Sequence, residues 1–442
     1  MARKSLILLA ALLLFPLAIL AQPDRVERLE QEIERLKAEI AAIKEGEAGA
    51  DRIRELERRL EVIAAEIERM KIGEAAASAD ESDFGFGPAA SKIYRTERGL
   101  SVGGYGEVLY QNFDSERDDN AASGKTDTFD LLRGVLYFGY KFNDRWLLNS
   151  EVEYEHAGSE VSVEFAYIDY LWRPEANLRA GLLLLPMGFV NELHEPTVFL
   201  GARRPDIEQA IIPTTWRENG FGLFGEAGPF SYRTYVVNGF RSAGFTAGGL
   251  RGGRQKGNQA KAEDFAWVGR LDFTGVPGLT VGASAYLGDS GQDLVSGVGT
   301  QILEGHLEWK WRGLEFRAMG VQAELDDVAE LNQVLKLTGS QSVGERLKGQ
   351  YLQLGYDLLA ALFPNTGGEQ AFIPYGRWET YNTQDEVPQG FSANPANDVE
   401  TLTLGFAYKP IDQIVIKADH QNIDNDAGTG TDQFNVLLGW IF

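Results

Sequence analysis

The chain closes on Asp432-Gln433-Phe434-Asn435-Val436-Leu437-Leu438-Gly439-Trp440-Ile441-Phe442. Phe434, Val436, Leu438, Trp440 and Phe442 are large and apolar, whereas Gln433, Asn435, Leu437, Gly439 and Ile441 are polar, small or mixed. A strand sends alternate side chains to opposite faces, so one face here is an unbroken apolar row that runs to the last residue. No further chain follows to cover that row. A bilayer accepts it if every backbone group is paired, and in lipid a sheet meets that condition only by closing on itself. The stretch predicts a transmembrane barrel whose last strand pairs with its first. The competing reading is the final strand of a soluble sandwich.

The same two-residue period recurs from Gly99 onward. Leu132, Leu136, Phe138, Tyr140 and Phe142 are set against Arg133, Tyr137 and Lys141. Trp146, Leu148, Val152 and Tyr154 are set against Asn149, Glu151, Glu153 and Glu155. Similar alternation places Leu303, Leu307, Trp309 and Trp311 opposite Glu304, His306, Glu308 and Lys310, and Ile414 and Ile416 opposite Lys417 and Asp419. Aromatics near strand ends fit interfacial girdles. Tight turns at 143–144, 173–176, 227–228, 275–278, 312–313 and 410–413 alternate with longer polar loops at 114–127, 188–215, 239–264, 288–300, 324–347, 382–400 and 422–431. That rhythm is one of short periplasmic turns and long outer loops, and it gives about sixteen antiparallel strands in an all-β transmembrane barrel with both ends periplasmic. The connection at 362–370 is longer than such a turn needs. A barrel of this size leaves a water-filled channel.

Composition narrows the class. The 442 residues hold no cysteine and 4 His, so thiol chemistry is excluded and metal or acid–base options are few. A formal charge of −23 argues against a nucleic-acid partner. Residues 1–21 carry Arg3 and Lys4 ahead of an apolar run, the pattern of a signal peptide. Residues 22–73 show two heptad seams, Val26, Leu29, Ile33, Leu36, Ile40, Ile43 and then Ile53, Leu56, Leu60, Ile63, Ile67, Met70, out of phase across Gly46 and Gly49. This is a periplasmic α-helical coiled coil, either one helix with a skip or two with a hinge, or else an amphipathic helix on the barrel surface. Residues 74–98, rich in Ala, Ser, Gly and acids without a period, read as a linker.

The third outer loop, residues 186–217, is unusually apolar for a loop, with Val198, Phe199, Leu200, Ile211 and Ile212 among its charges. A segment of this kind packs on something, and the barrel interior is the available wall. Folded inward it narrows the pore and sets an electrostatic gate. The candidates for that constriction are Glu192, His194, Glu195, Arg203, Arg204, Asp206, Glu208 and Arg217. The alternative for each is structural, with Arg and Asp pairing to hold the loop.

Other motifs are weak. The spacing Gly220-Phe221-Gly222-Leu223-Phe224-Gly225 matches a dinucleotide loop, but that motif needs a following helix, and more strand follows here. His194 beside Glu192 and Glu195 has metal-ligand chemistry, yet a lone His in a charged loop more often makes hydrogen bonds. His156 and His420 fall on the outward face, but no serine is placed for a rim hydrolase. No cofactor and no catalytic residue is expected.

The segments Asn191-Glu192-Leu193-His194-Glu195-Pro196, Arg203-Arg204-Pro205 and Ile212-Pro213-Thr214-Thr215-Trp216, with the terminal Trp440-Ile441-Phe442, resemble the phosphate-selective porin O/P superfamily over roughly residues 99–442. The resemblance implies a sixteen-strand homotrimer in the bacterial outer membrane, with one pore per subunit and with Phe442 read by the barrel-assembly machinery. Phosphate-selective members line the lumen with a ladder of basic side chains, for which the inward candidates are Arg133, Arg179, Arg233, Arg270, Arg317 and Lys417. Here Glu151, Glu153, Glu155, Glu304 and Glu308 share that face, a departure that bears on which ion enters. The reading is a non-enzymatic porin for passive diffusion of small hydrophilic solutes, anions or phosphate among them. The position and length of the coil suggest a role in trimer assembly or contact with peptidoglycan. The alternative is an envelope tether with the coil as its working part and the barrel as anchor.

Overall fold

A computed structural model describes residues 83–362 and 370–442, with Arg35 and Lys37, both helical, as the only described positions before Asp83. The expected signal peptide and coiled coil lie otherwise outside the described residues. The sheet is a closed barrel of sixteen strands in which each pairs with its sequence neighbours. They are β1 (Gly99–Phe113), β2 (Thr128–Lys141), β3 (Trp146–Glu155), β4 (Glu160–Arg173), β5 (Ala176–Leu184), β6 (Arg217–Ala227), β7 (Phe230–Asn238) and β8 (Phe265–Val276). The second half continues with β9 (Leu279–Asp289), β10 (Gly299–Trp311), β11 (Leu314–Leu325), β12 (Arg346–Tyr356), β13 (Ala371–Glu386), β14 (Asp398–Ile411), β15 (Ile414–Asn425) and β16 (Gln433–Ile441).

The seam is closed by the stretch that opened the sequence reading. β16 runs antiparallel to β1 with Tyr105 opposite Ile441, Gly106 opposite Trp440 and Phe113 opposite Gln433. Gln433, Asn435, Leu437 and Ile441 are buried on the inner face, and Leu438 and Phe442 are exposed on the outer one. Gly106 lies opposite Trp440, and the indole covers it so closely that a Cβ there would collide with the ring.

The six tight turns fall where the sequence placed them, between β2 and β3, β4 and β5, β6 and β7, β8 and β9, β10 and β11, and β14 and β15. The longer connection after β12 begins with a short helix, Leu358–Leu362. Around the outside, Phe138, Leu178, Phe221, Leu271, Leu303, Leu354, Leu404 and Leu438 are exposed. Each side chain of this size costs roughly 1.5–3 kcal/mol when left in water, so a belt of them around a closed cylinder marks a surface suited to lipid. At the short-turn end aromatic pairs form a girdle, with ring centroids 4.8 Å apart for Trp146 and Tyr170 and 6.0 Å for Trp309 and Trp311.

Two expectations are corrected. Leu132 is not on the outer face. The β1–β2 register shifts between Glu107 and Val108, which pairs Arg133 with Glu107 but Leu131 with Val108, and Leu132 packs against the inner cluster that holds Leu109 and Leu437. One bulged residue reverses the side-chain parity beyond it. The 74–98 segment, where it is described, is not a linker. Residues 83–98 fold inside the barrel, with Phe86, Ala89, Ala90 and Ile93 buried in the main core and a short helix α1 (Lys92–Arg95) resting on β1 and β2. Ile93 sits over Gly139 of β2, where a Cβ would collide with it.

Candidate functional site: the loop and plug inside the barrel

Residues 185–216, between β5 and β6, enter the lumen as expected of the third loop. Leu185, Met187, Phe189, Val190, Ile207, Ile211, Ile212 and Trp216 are fully or nearly fully buried. The apolar side chains explain the direction of folding, because the barrel interior lets them leave water. A single turn of helix, α2 (Ile207–Ala210), lies within the loop, and Trp216 stacks on Phe240 of the next outer loop at 4.3 Å between centroids.

Several of the inward-facing charges hold this loop. Lys417 Nζ donates to the carbonyl of Gly201 at 2.9 Å, Arg317 Nη2 to that of Val198 at 2.7 Å and Arg377 Nη1 to that of Arg203 at 3.4 Å. Arg270 donates to the carbonyl of Gly188. From the loop side, the Ala202 amide donates to Asp419 at 2.7 Å. Glu208 accepts the Val190 amide at 2.7 Å and the Tyr351 hydroxyl at 2.9 Å. Arg233 lies between Glu192 at 3.3 Å and Asp272 at 2.9 Å.

The remaining wall charges are also paired. Arg179 meets Asp169 at 2.9 Å, with its guanidinium 4.2 Å from the Tyr167 ring centroid and 4.8 Å from that of Phe86. Arg133 stands 3.5 Å from Glu107, 3.7 Å from Glu153 and 3.9 Å from Glu155. Glu308 holds Arg317 at 2.6 Å, and Glu304 accepts from Ser284 at 2.6 Å and contacts His306 at 2.8 Å. Arg217 pairs with Glu164 at 2.7 Å, and His194 lies 3.1 Å from Glu151.

The expected site residues therefore divide. Arg179, Arg233, Arg317, Lys417, Glu151, Glu153 and Glu304 point inward but are buried beneath the loop and the plug, so the expectation that they line open water is corrected. Glu192, His194, Glu195, Glu208 and Arg217 are buried in the same way. Arg203, Arg204 and Asp206 are only half-buried, with Arg203 3.3 Å from Asp206 and Arg204 donating to the carbonyl of His194 at 3.3 Å.

The plug meets the loop at Glu195, whose carboxylate accepts the amides of Ala89 at 3.2 Å and Ala90 at 2.9 Å. Burial raises its pKa to about 7 against those two hydrogen bonds. On the same segment Tyr94 donates to Asp169 at 2.7 Å and accepts from Arg179 at 2.6 Å. Sequence reading missed Glu107, Glu164, Asp169, Arg377 and Glu379, although their position on the inward parity of their strands was available as a signal, and it set Asp272 and Asp419 on that face without naming them as site residues.

Towards the long-loop end, the outer loops carry further cations. Lys125, Arg251 and Lys256 are exposed, yet their pKa values are lowered. Burial by the surrounding wall is the main cause, followed by Arg203 for Lys125, by Arg204 and Arg133 for Arg251, and by Arg254 and Arg217 for Lys256. The charges near them are of both signs, with Asp206 near Lys125, Glu155 and Glu164 near Arg251 and Glu155 near Lys256, and in each case an arginine acts more strongly than the acids.

No family model matches the chain. Among solved structures, OmpF of Salmonella typhi, in a complex with daunomycin, aligns with a TM-score of 0.53 at 11% identity over 79% of this chain and 99% of that one. That likeness is one of fold. An anion-selective porin from Comamonas acidovorans aligns at 12% identity and a TM-score of 0.47 over 78% of this chain and 100% of that one. An uncharacterized protein of Aquifex aeolicus (strain VF5) is 37% identical over 374 residues, which are 81% of this chain and 83% of that protein. At that identity and coverage, the chain belongs to the same family as the Aquifex aeolicus protein.

Proposed function

We propose that the protein is a passive outer-membrane channel for small hydrophilic solutes that prefers anions, narrowed by residues 185–216. The observation that carries this is the mouth formed by the outer loops, where Lys125 feels Arg203, Arg251 feels Arg204, and Lys256 feels Arg254 and Arg251 more strongly than any of them feels the acids Asp206, Glu155 and Glu164. The overall charge of −23 does not decide selectivity, because Glu151, Glu153 and Glu304 are buried in the wall against His194, Arg133 and His306, and Glu308 is held by Arg317. The field an entering ion meets is local. Transport of this kind needs no reaction; side chains act through width and charge. The resemblance to phosphate-selective porins points to oxyanions of phosphate size, to a homotrimer and to recognition of Phe442 by the assembly machinery.

Planar-bilayer recording in a KCl gradient tests the reading. A reversal potential of the sign set by chloride permeation, which shrinks in magnitude as phosphate competes, is the expected result. A cation-signed potential overturns the anion preference. A folded protein that never conducts overturns the channel and leaves the anchor reading, in which residues 83–98 close the barrel and residues 22–73 do the work.

A further inference from the structure

We propose that Glu151 of β3, Glu164 of β4 and His194 of the inward loop form a binding site for one divalent cation of the zinc type, which pins the loop to the wall. One ligand atom from each lies within 4.8 Å of the others, and all three residues are buried. His194 Nε2 is 3.1 Å from Glu151 Oε1 and 3.8 Å from Glu164 Oε2. With metal bonds of about 2.0–2.2 Å, tetrahedral ligands stand about 3.3–3.6 Å apart, so the two measured separations bracket that spacing before any cation draws the groups together.

Two independent observations point into this gap. Glu164 Oε2, the oxygen that faces His194 Nε2, is buried with no hydrogen-bond donor, and Glu151 Oε2, on the carboxylate whose Oε1 meets the imidazole, is likewise unsatisfied, whereas Glu164 Oε1 is satisfied by Thr215 at 2.5 Å and Arg217 at 2.7 Å. The other ring nitrogen of His194, Nδ1, lies 2.9 Å from the carbonyl of Asn191. Donation there is the orienting contact that metal-bound imidazoles commonly have, and it turns Nε2 to the carboxylates, where it holds either a proton shared with Glu151 or, once that proton leaves, a cation. An imidazole beside two carboxylates favours zinc-type ions over calcium or magnesium, which take oxygen ligands throughout. Without a metal, a proton on Nε2 bridges the same groups, so the two occupants compete. The inference rests on these three side chains and not on the ion preference of the mouth.

The test uses the untagged full chain folded in detergent, stripped with a chelator and titrated with Zn²⁺ by calorimetry, then with Co²⁺ by absorption spectroscopy. One equivalent per chain, with the visible bands of four-coordinate cobalt, is expected. His194→Gln and Glu151→Gln should each weaken uptake by about 10- to 100-fold while heat-modifiable gel migration remains that of the folded barrel. Absence of stoichiometric uptake by the wild-type protein overturns the proposal, as does uptake that survives both substitutions.

Discussion

Glu195 and Ala90 are 105 residues apart in sequence, and the carboxylate of one accepts the amide of the other at 2.9 Å within the barrel. Through this contact the inward loop holds the segment that precedes β1. Glu195→Ala leaves the amides of Ala89 and Ala90 buried without acceptors, at about 1–3 kcal/mol each. The expected outcome is faster hydrogen exchange over residues 86–94 and larger single-channel conductance. Unchanged exchange there would show that the contact does not hold the plug.

Arg179 is the second fastening. It is buried between Asp169 and the rings of Tyr167, Phe86 and Phe224. Arg179→Ala strands the Asp169 charge, and breaking a buried pair from one side costs about 3–5 kcal/mol. Denaturant unfolding in detergent should show a clearly lowered midpoint, and Asp169→Asn introduced on top should recover part of the loss.

Charge reversal at the mouth separates local field from net charge. Arg204→Glu and Arg251→Glu each change the total by two units, yet they act where ions enter. The reversal potential should move towards cation permeation for both. Reversal of Lys310, which stands at the short-turn end with a half-exposed side chain, should move it much less.

Glu208 gives the sign of a pH effect. Burial raises its pKa above the usual carboxylate range, against the hydrogen bonds from Val190 and Tyr351. The folded loop thus keeps a proton that the unfolded chain has released. By linkage its contribution is full below the ordinary glutamate value and is lost as pH rises through the raised one. Exchange protection of the Val190 amide, corrected for intrinsic rates, should fall from pH 5 to pH 8. Glu208→Gln should flatten that dependence.

The barrel was legible because alternation is a local property. Each strand carries its own inside and outside, and six tight turns set the phase. Leu132 was misplaced because a bulge leaves no mark in a period of two. The plug was misread for a related reason: Phe84 and Tyr94 pack on each other and Phe86 and Ile93 enter the barrel core from irregular backbone, so they show no repeat amid Gly, Ala and Ser. At the site, residue type and direction were readable from parity, but partners were not. Glu151 and Glu153 looked like a negative lumen because sequence shows a carboxylate without showing His194 or Arg133 beside it.

The pairing of Tyr105 with Ile441 also constrains how the molecule reaches its membrane. Until the two outermost strands meet, each presents a bare edge of amides and carbonyls that hydrocarbon cannot solvate. A half-built sheet is therefore excluded from the bilayer interior unless something shields its margins. Insertion and zipping of the final joint have to proceed together, and that joint, between the strands farthest apart in sequence, carries the largest loop-closure cost in the sheet.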